Sequence, residues 1–310
     1  MTQHEHGNTR ASGAPGPLPM RACTEPASLQ FGVCVLATDR GVAPPRLARE
    51  VEARGIDMLF LPENSHIPLD RSRDWPNIDG LLDPLSRLYD PFVALSAAAA
   101  VTDRLLLGFA VCLLTHRDPI NTAKAVASLD LLSHGRVILG VAGGALDVAM
   151  RNHGTEFKHR WRVVRERVLA MRTIWTEEAA EFSGEFVDFG PMLSYPKPLQ
   201  AVGPPIWIGS NSKWVPGRVA DYADGWIVYN GRYEGDAIAD LREACVRKER
   251  SFAELSLALM DAPWEDDGAA RFVEHGYRKL IFLVPPSADL FAALDRVAEI
   301  AGGLRRRFGA

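Results

Sequence analysis

The sequence predicts an α/β fold, a (β/α)8 TIM barrel in which eight parallel strands alternate with eight helices. Two observations predict it: eight short apolar runs occur along the chain, and an amphipathic stretch follows each of them. The runs carry Val, Ile, Leu and Phe at consecutive positions, which is typical of strands buried on both faces. A doubly wound open sheet would show the same alternation, but no G-x-G-x-x-G follows the first run, at Thr38–Gly41, so the barrel is favoured.

The eight repeats are read directly from these runs and the stretches between them. The predicted strands are Phe31–Ala37, Met58–Pro62, Leu105–Cys112, Val137–Val141, Pro205–Gly209, Trp226–Tyr229, Leu255–Met260 and Lys279–Val284. The predicted helices are Pro44–Arg54, Pro91–Val101, Pro119–Leu132, Arg160–Thr176, Trp214–Ala223, Asp236–Arg250, Asp266–His275 and Ala288–Gly302.

Two segments interrupt the alternation. Asn64–Asp90 is a long loop after the second strand, and a loop of that length in a compact domain usually serves as a lid or a binding loop. Glu181–Pro198 alternates apolar and polar residues around Ser183-Gly184, which predicts a β-hairpin inserted between the fourth and fifth strands.

The chain of 310 residues divides into a tail and one domain. Residues 1–28 contain no apolar run of the kind that a signal peptide needs, and their His, Gly and Pro content predicts a disordered tail. His4 and His6 lie in this tail, where a floppy backbone is a poor metal site. Residues 29–310 are expected to form a single barrel domain, because TIM barrels commonly have this length.

Composition excludes several classes of partner. The net charge is −4, which favours neither nucleic acid nor an anionic membrane surface, and no apolar run reaches the roughly 18–20 residues of a membrane span.

The four cysteines, Cys23, Cys34, Cys112 and Cys245, include no C-x-x-C pair. Cys34 and Cys112 fall in predicted strands, where buried reduced thiols are expected, and a cytoplasmic location follows from that expectation.

In a TIM barrel the functional residues lie where the strands end, so each carboxyl edge was inspected for chemistry. Glu63 and His66 follow the second strand, and a histidine titrates near neutral pH, which suits acid–base catalysis. A capping role for Glu63 and a plain surface position for His66 are equally open. The third strand ends in small residues that would admit a planar ring, although a well-packed core strand would look the same.

The next two edges suggest a ligand with a phosphate. Gly143 and Gly144 follow the fourth strand and permit close backbone approach, or simply a tight turn. Gly209-Ser210-Asn211-Ser212 lies between the fifth strand and a helix, where free N–H groups and polar side chains suit a phosphate. Capping of that helix by Ser210 or Ser212 is the plainer alternative. No H-E-x-x-H, Walker or catalytic-triad pattern occurs, so no metal site or hydrolase is predicted.

Seven segments in order resemble the luciferase-like monooxygenase superfamily, and in particular its F420-dependent oxidoreductase branch. The matching segments are Leu59–Pro68 (LFLPENSHIP), Asp90–Ala100 (DPFVALSAAAA), Arg117–Gly144 (RDPINTAKAVASLDLLSHGRVILGVAGG), Asn152–Trp175 with its NHG, RW and RERV elements, Glu181–Phe189 (EFSGEFVDF), Tyr195–Leu199 (YPKPL) and Pro205–Trp226. The likeness covers nearly everything from Phe31 to about Val284.

The resemblance implies a flavin or a deazaflavin, coenzyme F420 with FMN as the alternative, over the carboxyl rim of the barrel. It implies catalytic roles near the reactive ring for Glu63 and His66. Ala110 and Val111 would form a bulge with a non-prolyl cis peptide behind the ring. The residues implied to contact the ring, the ribityl chain or the phosphate are Gly143, Gly144, Asp147, Gly209, Ser210 and Asn211. His153 and Arg160 align with a motif after the fourth strand.

One departure from the family pattern lies after the fourth strand. Relatives usually continue with G-x-G-W-(N)-x-E-E, whereas this chain has Ala142–Ala149, AGGALDVA. Three functions therefore stay open: an F420-dependent hydride-transferring oxidoreductase acting on a small organic molecule, an FMN-dependent monooxygenase, and a non-catalytic or cofactor-binding descendant of the family. Members of the family are often dimers, so a homodimer is an expectation from the resemblance alone.

Overall fold

The computed structural model describes residues 28–69 and 81–309, and its eight parallel strands close into a barrel. The strands are β1 (Gln30–Cys34), β2 (Met58–Leu61), β3 (Leu106–Phe109), β4 (Cys112–Leu113), β5 (Val137–Ala142), β6 (Ala180–Ser183), β7 (Asp188–Met192), β8 (Ile206–Gly209), β9 (Gly225–Tyr229), β10 (Ser256–Met260) and β11 (Lys279–Leu283). The ring runs β1-β2-β3-β5-β8-β9-β10-β11 and returns to β1. This closure confirms the predicted TIM barrel and excludes the open sheet.

The helices form the outer layer, and their first turns explain why they begin where they do. They are α1 (Pro44–Ala53), α2 (Leu82–Ser86), α3 (Pro91–Ala99), α4 (Pro119–Leu132), α5 (Asp147–Asn152), α6 (Arg160–Thr176), α7 (Val215–Tyr222), α8 (Ala237–Arg247), α9 (Asp266–His275) and α10 (Leu290–Phe308). Asp90 and Asp118 accept hydrogen bonds from backbone N–H groups of α3 and α4, and a proline follows each aspartate. Aspartate at the N-cap with proline at the first helical position is a strong start signal.

Two apolar layers hold the barrel together. The inner layer fills the barrel with side chains that point inward from different strands, among them Met58, Phe60, Trp207 and Ile281, all nearly or fully buried. A larger layer packs the outward-facing strand residues against the helices. Strands buried on both faces explain the consecutive apolar runs in the sequence.

The third predicted strand, Leu105–Cys112, is interrupted at the bulge that the resemblance implied for Ala110 and Val111. β3 ends at Phe109 and β4 begins at Cys112. Between the Gly108–Ile138 and Cys112–Val141 pairs, β3–β4 advances four residues while β5 advances three, so one extra residue is accommodated. This is a β-bulge, and it lies at the barrel rim where bulges commonly re-aim side chains.

The insertions agree in part with the sequence. β6 and β7 pair antiparallel and confirm the hairpin between the fourth and fifth barrel strands. The short helices α2 and α5 were not predicted, and α10 runs six residues beyond the predicted end at Gly302. Most of the predicted tail, residues 1–27, and the middle of the predicted lid loop, residues 70–80, lie outside the described residues.

Within the described residues, every helix is too short or too polar to cross a membrane. Cys34, Cys112 and Cys245 are buried free thiols, as predicted for the first two. Burial raises the pKa of the Cys34 thiol to about 12, which makes it an inert packing residue at neutral pH.

Candidate active site at the barrel rim

Glu63, the first predicted catalytic residue, is occupied by structural contacts. It follows β2, is 5% exposed, and accepts a 2.7 Å hydrogen bond from the backbone N–H of Leu113. Arg117 donates to the same carboxylate from Nε, at 2.5 Å, and also pairs with Asp90. Burial alone would lower the pKa of Arg117. The Glu63 carboxylate has the larger opposite effect and raises that pKa above its ordinary value. These contacts favour a positioning role, in which Glu63 ties the loop after β2 to the end of β4.

His66, the second predicted catalytic residue, lies in a polar group at the rim. Its Nδ1 is 3.0 Å from Ser65 Oγ, and its Nε2 is 2.9 Å from Asn152 Nδ2 at the end of α5. Ser65 Oγ is also 2.9 Å from Nε2 of His153, which follows α5. The structure therefore joins the loops after β2 and β5 through two imidazoles, one hydroxyl and one amide.

A third histidine, His116, lies beside these two. Its ring is stacked on His153, with centroids 4.7 Å apart and planes 13° apart, and its centroid is 6.4 Å from that of His66. Among the described residues neither ring nitrogen of His116 has a hydrogen-bond partner, and both nitrogens are buried. Burial, reinforced by His153 and His66, lowers the pKa of His116 from 6.5 to about 4, so the ring is neutral at pH 7. A buried imidazole without partners calls for a ligand or a water.

The two glycines after β5 form the wall next to His116. Gly144 has φ +73°, a left-handed conformation that favours glycine, and a Cβ there would lie 3.7 Å from His116 Nε2. Thr115 donates a 3.1 Å hydrogen bond to the carbonyl of Gly143, which fixes this loop against the turn that carries His116. Asp147, also predicted to contact the cofactor, begins α5 and pairs with Arg151 at 3.2 Å.

The residues predicted around the ring and the phosphate meet across the barrel mouth. The Ala110–Val111 peptide is cis, as the resemblance implied. A Cβ on Gly209 would lie 2.4 Å from Val111 Cγ1, so the glycine provides the space that Val111 fills. Ser210 and Asn211 are partly engaged in holding β9, since the Ser210 carbonyl accepts from Trp226 Nε1 and Asn211 Oδ1 accepts from the Tyr229 N–H.

A cationic group lies next to Gly143. A Cβ on that glycine would lie 3.2 Å from the side chain of Arg160. Arg218 of α7 donates to Ser212 Oγ at 3.3 Å and stacks over Trp161. Burial lowers the pKa of Arg218, and the nearby charge of Arg160 lowers it further. Arg160 donates to the Phe157 carbonyl at 2.9 Å, and within the described part of the chain neither guanidinium has an ion pair with a carboxylate, so the two together suit an anion.

Sequence reasoning missed two of these residues, His116 and Arg218. Ser212 was in the loop predicted to suit a phosphate, and the alternative that it caps the following helix is wrong, because α7 has Trp214 at its N-cap and no side-chain cap. His116 and Arg218 lie in a turn and within a helix, away from the strand edges that were inspected. The position of His116 directly before Arg117, where the longest matching segment begins, was the available signal. Within the described residues no group of three or more His, Cys, Asp or Glu side chains is arranged to hold a metal ion.

Comparisons with known proteins agree with this architecture. An uncharacterised protein of Mycobacterium tuberculosis is 36% identical over 280 residues, which cover 87% of this chain and 98% of that protein. The F420-dependent glucose-6-phosphate dehydrogenase of Kineococcus radiotolerans is 27% identical over 243 residues, 75% of this chain and 68% of that protein. An F420-dependent secondary alcohol dehydrogenase, solved in complex with an F420-acetone adduct, has the same fold with a TM-score of 0.71 at 14% identity, over 90% of this chain and 99% of that chain.

A family match covers most of the barrel. The model of the luciferase-like monooxygenases matches residues 38–285, from the loop after β1 to just beyond β11. The rim described above, with its bulge, its paired glycines and its histidines, lies inside the matched range. This chain belongs to the luciferase-like monooxygenase family of oxidoreductases.

Proposed function

We propose that the chain is an F420-dependent oxidoreductase that transfers a hydride between the deazaflavin and a small organic substrate. The observation that carries the proposal is the cationic group of Arg160 and Arg218 beside Ser212 and Gly143, on the same rim as the histidines. Two guanidinium groups that share no carboxylate fit a phosphodiester, and neighbouring glycines let a backbone approach it. The F420-dependent relative from Kineococcus supports F420 over FMN.

The residues present fit such a cofactor in two further ways. The buried ring nitrogens of His116 provide hydrogen-bonding groups for a polar ligand edge next to Gly144. Val111 and Gly209 together give an apolar contact at the mouth of the barrel. When bound, F420 supplies a two-electron hydride acceptor or donor; the protein supplies binding, orientation and proton handling.

The chemistry assigned to the chain's own residues is acid–base catalysis by His66. Oxidation of an alcohol releases one proton from the hydroxyl as the hydride leaves, and reduction of a carbonyl takes one up. The Nε2 atom of His66 is the ring nitrogen that faces across the rim toward α5, and it would hold that proton. Glu63 and Arg117 would position the loop that carries His66. His66 itself lies in Asn64–Asp90, the loop predicted to be a lid or a binding loop.

Cofactor binding tests the proposal. Titration of the purified full chain with F420 and separately with FMN, followed by tryptophan fluorescence, should show the tighter binding for F420. Arg160→Ala and Arg218→Ala should each weaken F420 binding by about 10- to 100-fold, because a charge-assisted hydrogen bond contributes about 1.5–3 kcal/mol. Arg165→Ala is the matched control, since Arg165 lies on the same helix as Arg160 but pairs with Asp221 at the surface.

The outcomes separate the three functions that the sequence left open. Tighter binding of FMN would overturn the proposal in favour of a flavin monooxygenase. Binding of neither compound would overturn both enzymatic functions. With F420 bound and small secondary alcohols or sugar phosphates offered as substrates, His66→Ala should reduce turnover about 100-fold or more while leaving F420 affinity within a few-fold. Unchanged turnover would remove His66 from the mechanism.

A further inference from the structure

Ser65 joins His66 and His153 through a single hydroxyl group. Its Oγ is 3.0 Å from Nδ1 of His66 and 2.9 Å from Nε2 of His153. The far nitrogen of His66, Nε2, is 2.9 Å from the side-chain amide of Asn152. His153 is exposed, so the chain of contacts runs from the rim of the site to solvent.

The number of hydrogens on Ser65 restricts how the hydrogen bonds among His66, Ser65 and His153 can be arranged. A serine hydroxyl has one hydrogen, so it donates to one imidazole and must accept from the other. If His66 carries its proton on Nδ1, His153 must present a bare Nε2 to Ser65. If His153 carries its proton on Nε2, His66 must present a bare Nδ1. The tautomers of the two histidines are therefore coupled through Ser65.

Asn152 fits either arrangement. Its amide donates to His66 Nε2 when the His66 proton is on Nδ1, and after a half-turn its oxygen accepts from Nε2–H when the proton is there. The two arrangements differ by one proton gained at Nε2 of His66 and one proton lost at Nδ1 of His153. Asn152 must therefore turn away from His66 Nε2 when a substrate hydroxyl binds to that nitrogen.

Burial and the surrounding charges disfavour the protonated form of His153. Burial and His66 lower the pKa of His153, Glu63 opposes them, and Arg117 and Arg167 lower it further. His116, stacked on His153, has a lowered pKa chiefly for the same reason, burial. An imidazole that disfavours a positive charge passes a proton onward instead of trapping it.

We propose that Ser65 and His153 act with His66 as a relay that carries a proton between the bound substrate and solvent; this inference rests on the proposed function. In the oxidation direction, the substrate hydroxyl proton forms a bond to His66 Nε2 and its O–H bond breaks. The His66 Nδ1 proton passes to Ser65 Oγ, and the Ser65 hydroxyl proton passes to His153 Nε2. His153 then releases its Nδ1 proton to water, so no charge accumulates in the site. Ser65 and His153 are positioning residues, because His66 alone contacts the substrate.

The tautomer coupling can be measured on the full chain without cofactor. With 15N-labelled histidine, the nitrogen shifts near pH 7.5 should show His66 and His153 each in one predominant tautomer, with only one of the two nitrogens that face Ser65 protonated. Ser65→Ala should return both rings to a mixed population, and Ser65→Thr, which keeps a hydroxyl, should preserve the coupling. Identical nitrogen shifts in wild type and Ser65→Ala would overturn the relay.

Kinetics with F420 provide the second readout. Ser65→Ala and His153→Gln should each lower kcat about tenfold and shift its pH profile, while KM and F420 affinity change less than twofold. The loss is smaller than the 10²–10⁴-fold expected for an acid–base residue itself, because water can replace a relay partner. Ser65→Thr should keep most of the activity. His275→Gln is the matched control, since His275 pairs with Asp236 on the outer face of the barrel.

The two readouts separate the two proposals. If wild type shows no turnover or binding with F420, the proposed function fails. The nitrogen shifts still decide whether the tautomers of His66 and His153 are coupled through Ser65. If wild type turns over and Ser65→Ala has the same kcat and pH profile, the relay is wrong and the proposed function stands.

Discussion

At the scale of single residues, the two predicted catalytic side chains have different surroundings. Glu63 is buried, and each of its oxygens accepts a hydrogen bond, one from Arg117 and one from the Leu113 N–H. His66 is partly exposed and bonded to groups that can rearrange. A histidine with movable partners suits proton transfer, whereas a carboxylate in a buried ion pair suits the holding of a loop.

The lowered pKa of His116 should make the stability of the folded protein depend on pH. Its pKa is about 4 in the folded protein against an ordinary value of 6.5, so the unfolded chain binds more protons between these values. The stabilising contribution of the neutral ring is therefore complete above about pH 6.5 and is lost as the pH falls toward 4. His116→Phe should remove on the order of 2 kcal/mol of this acid sensitivity, once the partial exposure of the ring is allowed for.

Urea unfolding at pH 7.5, 6, 5 and 4.5 measures this effect as the slope of the unfolding free energy against pH. The slope should be shallower in His116→Phe than in wild type, because the ring no longer titrates. His275→Gln serves as the comparison variant, since His275 is exposed and pairs with Asp236 instead of lying beside His116. Equal slopes in wild type and His116→Phe would show that the ring is not held neutral.

At the scale of elements, the turn of the inserted hairpin is bonded to α6 by the carboxylate of Glu166, beside an ion pair between Arg162 and Glu185. Glu166 of α6 accepts hydrogen bonds from three consecutive backbone N–H groups in the turn between β6 and β7, those of Glu185, Phe186 and Val187, at 3.1, 2.7 and 3.1 Å. Hydrogen bonds to a charged acceptor contribute about 1.5–3 kcal/mol each at most, and partial exposure reduces that value here. The hairpin turn should therefore depend on Glu166 for its order.

Replacement of Glu166 by alanine tests this dependence. Amide hydrogen exchange at residues 185–187 should become at least tenfold faster, while exchange in β5 and β8 stays unchanged, because the hairpin lies outside the barrel ring. Glu243→Ala is the matched control, since Glu243 forms an exposed pair with Arg247 within α8. Unchanged protection in Glu166→Ala would mean that the strand pairing alone orders the turn.

The elements also show what a single sequence can and cannot predict. The eight barrel strands were predictable because burial on both faces leaves consecutive apolar residues, as in Val137–Ala142. The helix α5, Asp147–Asn152, was missed because six residues are too few to display a helical period. The break after Phe109 was invisible in the local pattern, since Ala110 and Val111 are apolar like their neighbours; only the resemblance to a family indicated a bulge there.

At the scale of the whole molecule, the site depends on contacts between loops that are distant in sequence. His66 and Asn152 are 86 residues apart, and Ser65 and His153 are 88 apart. Strand order places the ends of β2, β3 and β5 side by side, so the barrel prediction could bring these loops to one rim. Which side chains meet there depends on loop conformation, as with the left-handed Gly144, and periodicity carries no information about that.

The pairing of β3 with β5 closes the barrel and leaves no room for a side chain at Gly140. A Cβ on Gly140 would lie 2.0 Å from the carbonyl oxygen of Phe109, a backbone atom that cannot turn away, and 3.0 Å from Ile227 Cδ1. The pairs Gly108–Ile138 and Cys112–Val141 on either side hold the two strands together. Gly140→Ala must therefore separate β3 from β5, and we expect it to cost about 3 kcal/mol or more, the upper end for overpacking.

The urea midpoint of unfolding, or the yield of folded protein if the variant does not accumulate, measures that cost. Gly190→Ala in β7 is the matched control, because nothing lies within 4 Å of a Cβ at that position and Gly190 is outside the ring. The control should unfold within about 0.5 kcal/mol of wild type, as for other surface substitutions. A Gly140→Ala protein as stable as the control would show that the barrel tolerates an opening between β3 and β5, and the rim would then not be fixed by closure of the sheet.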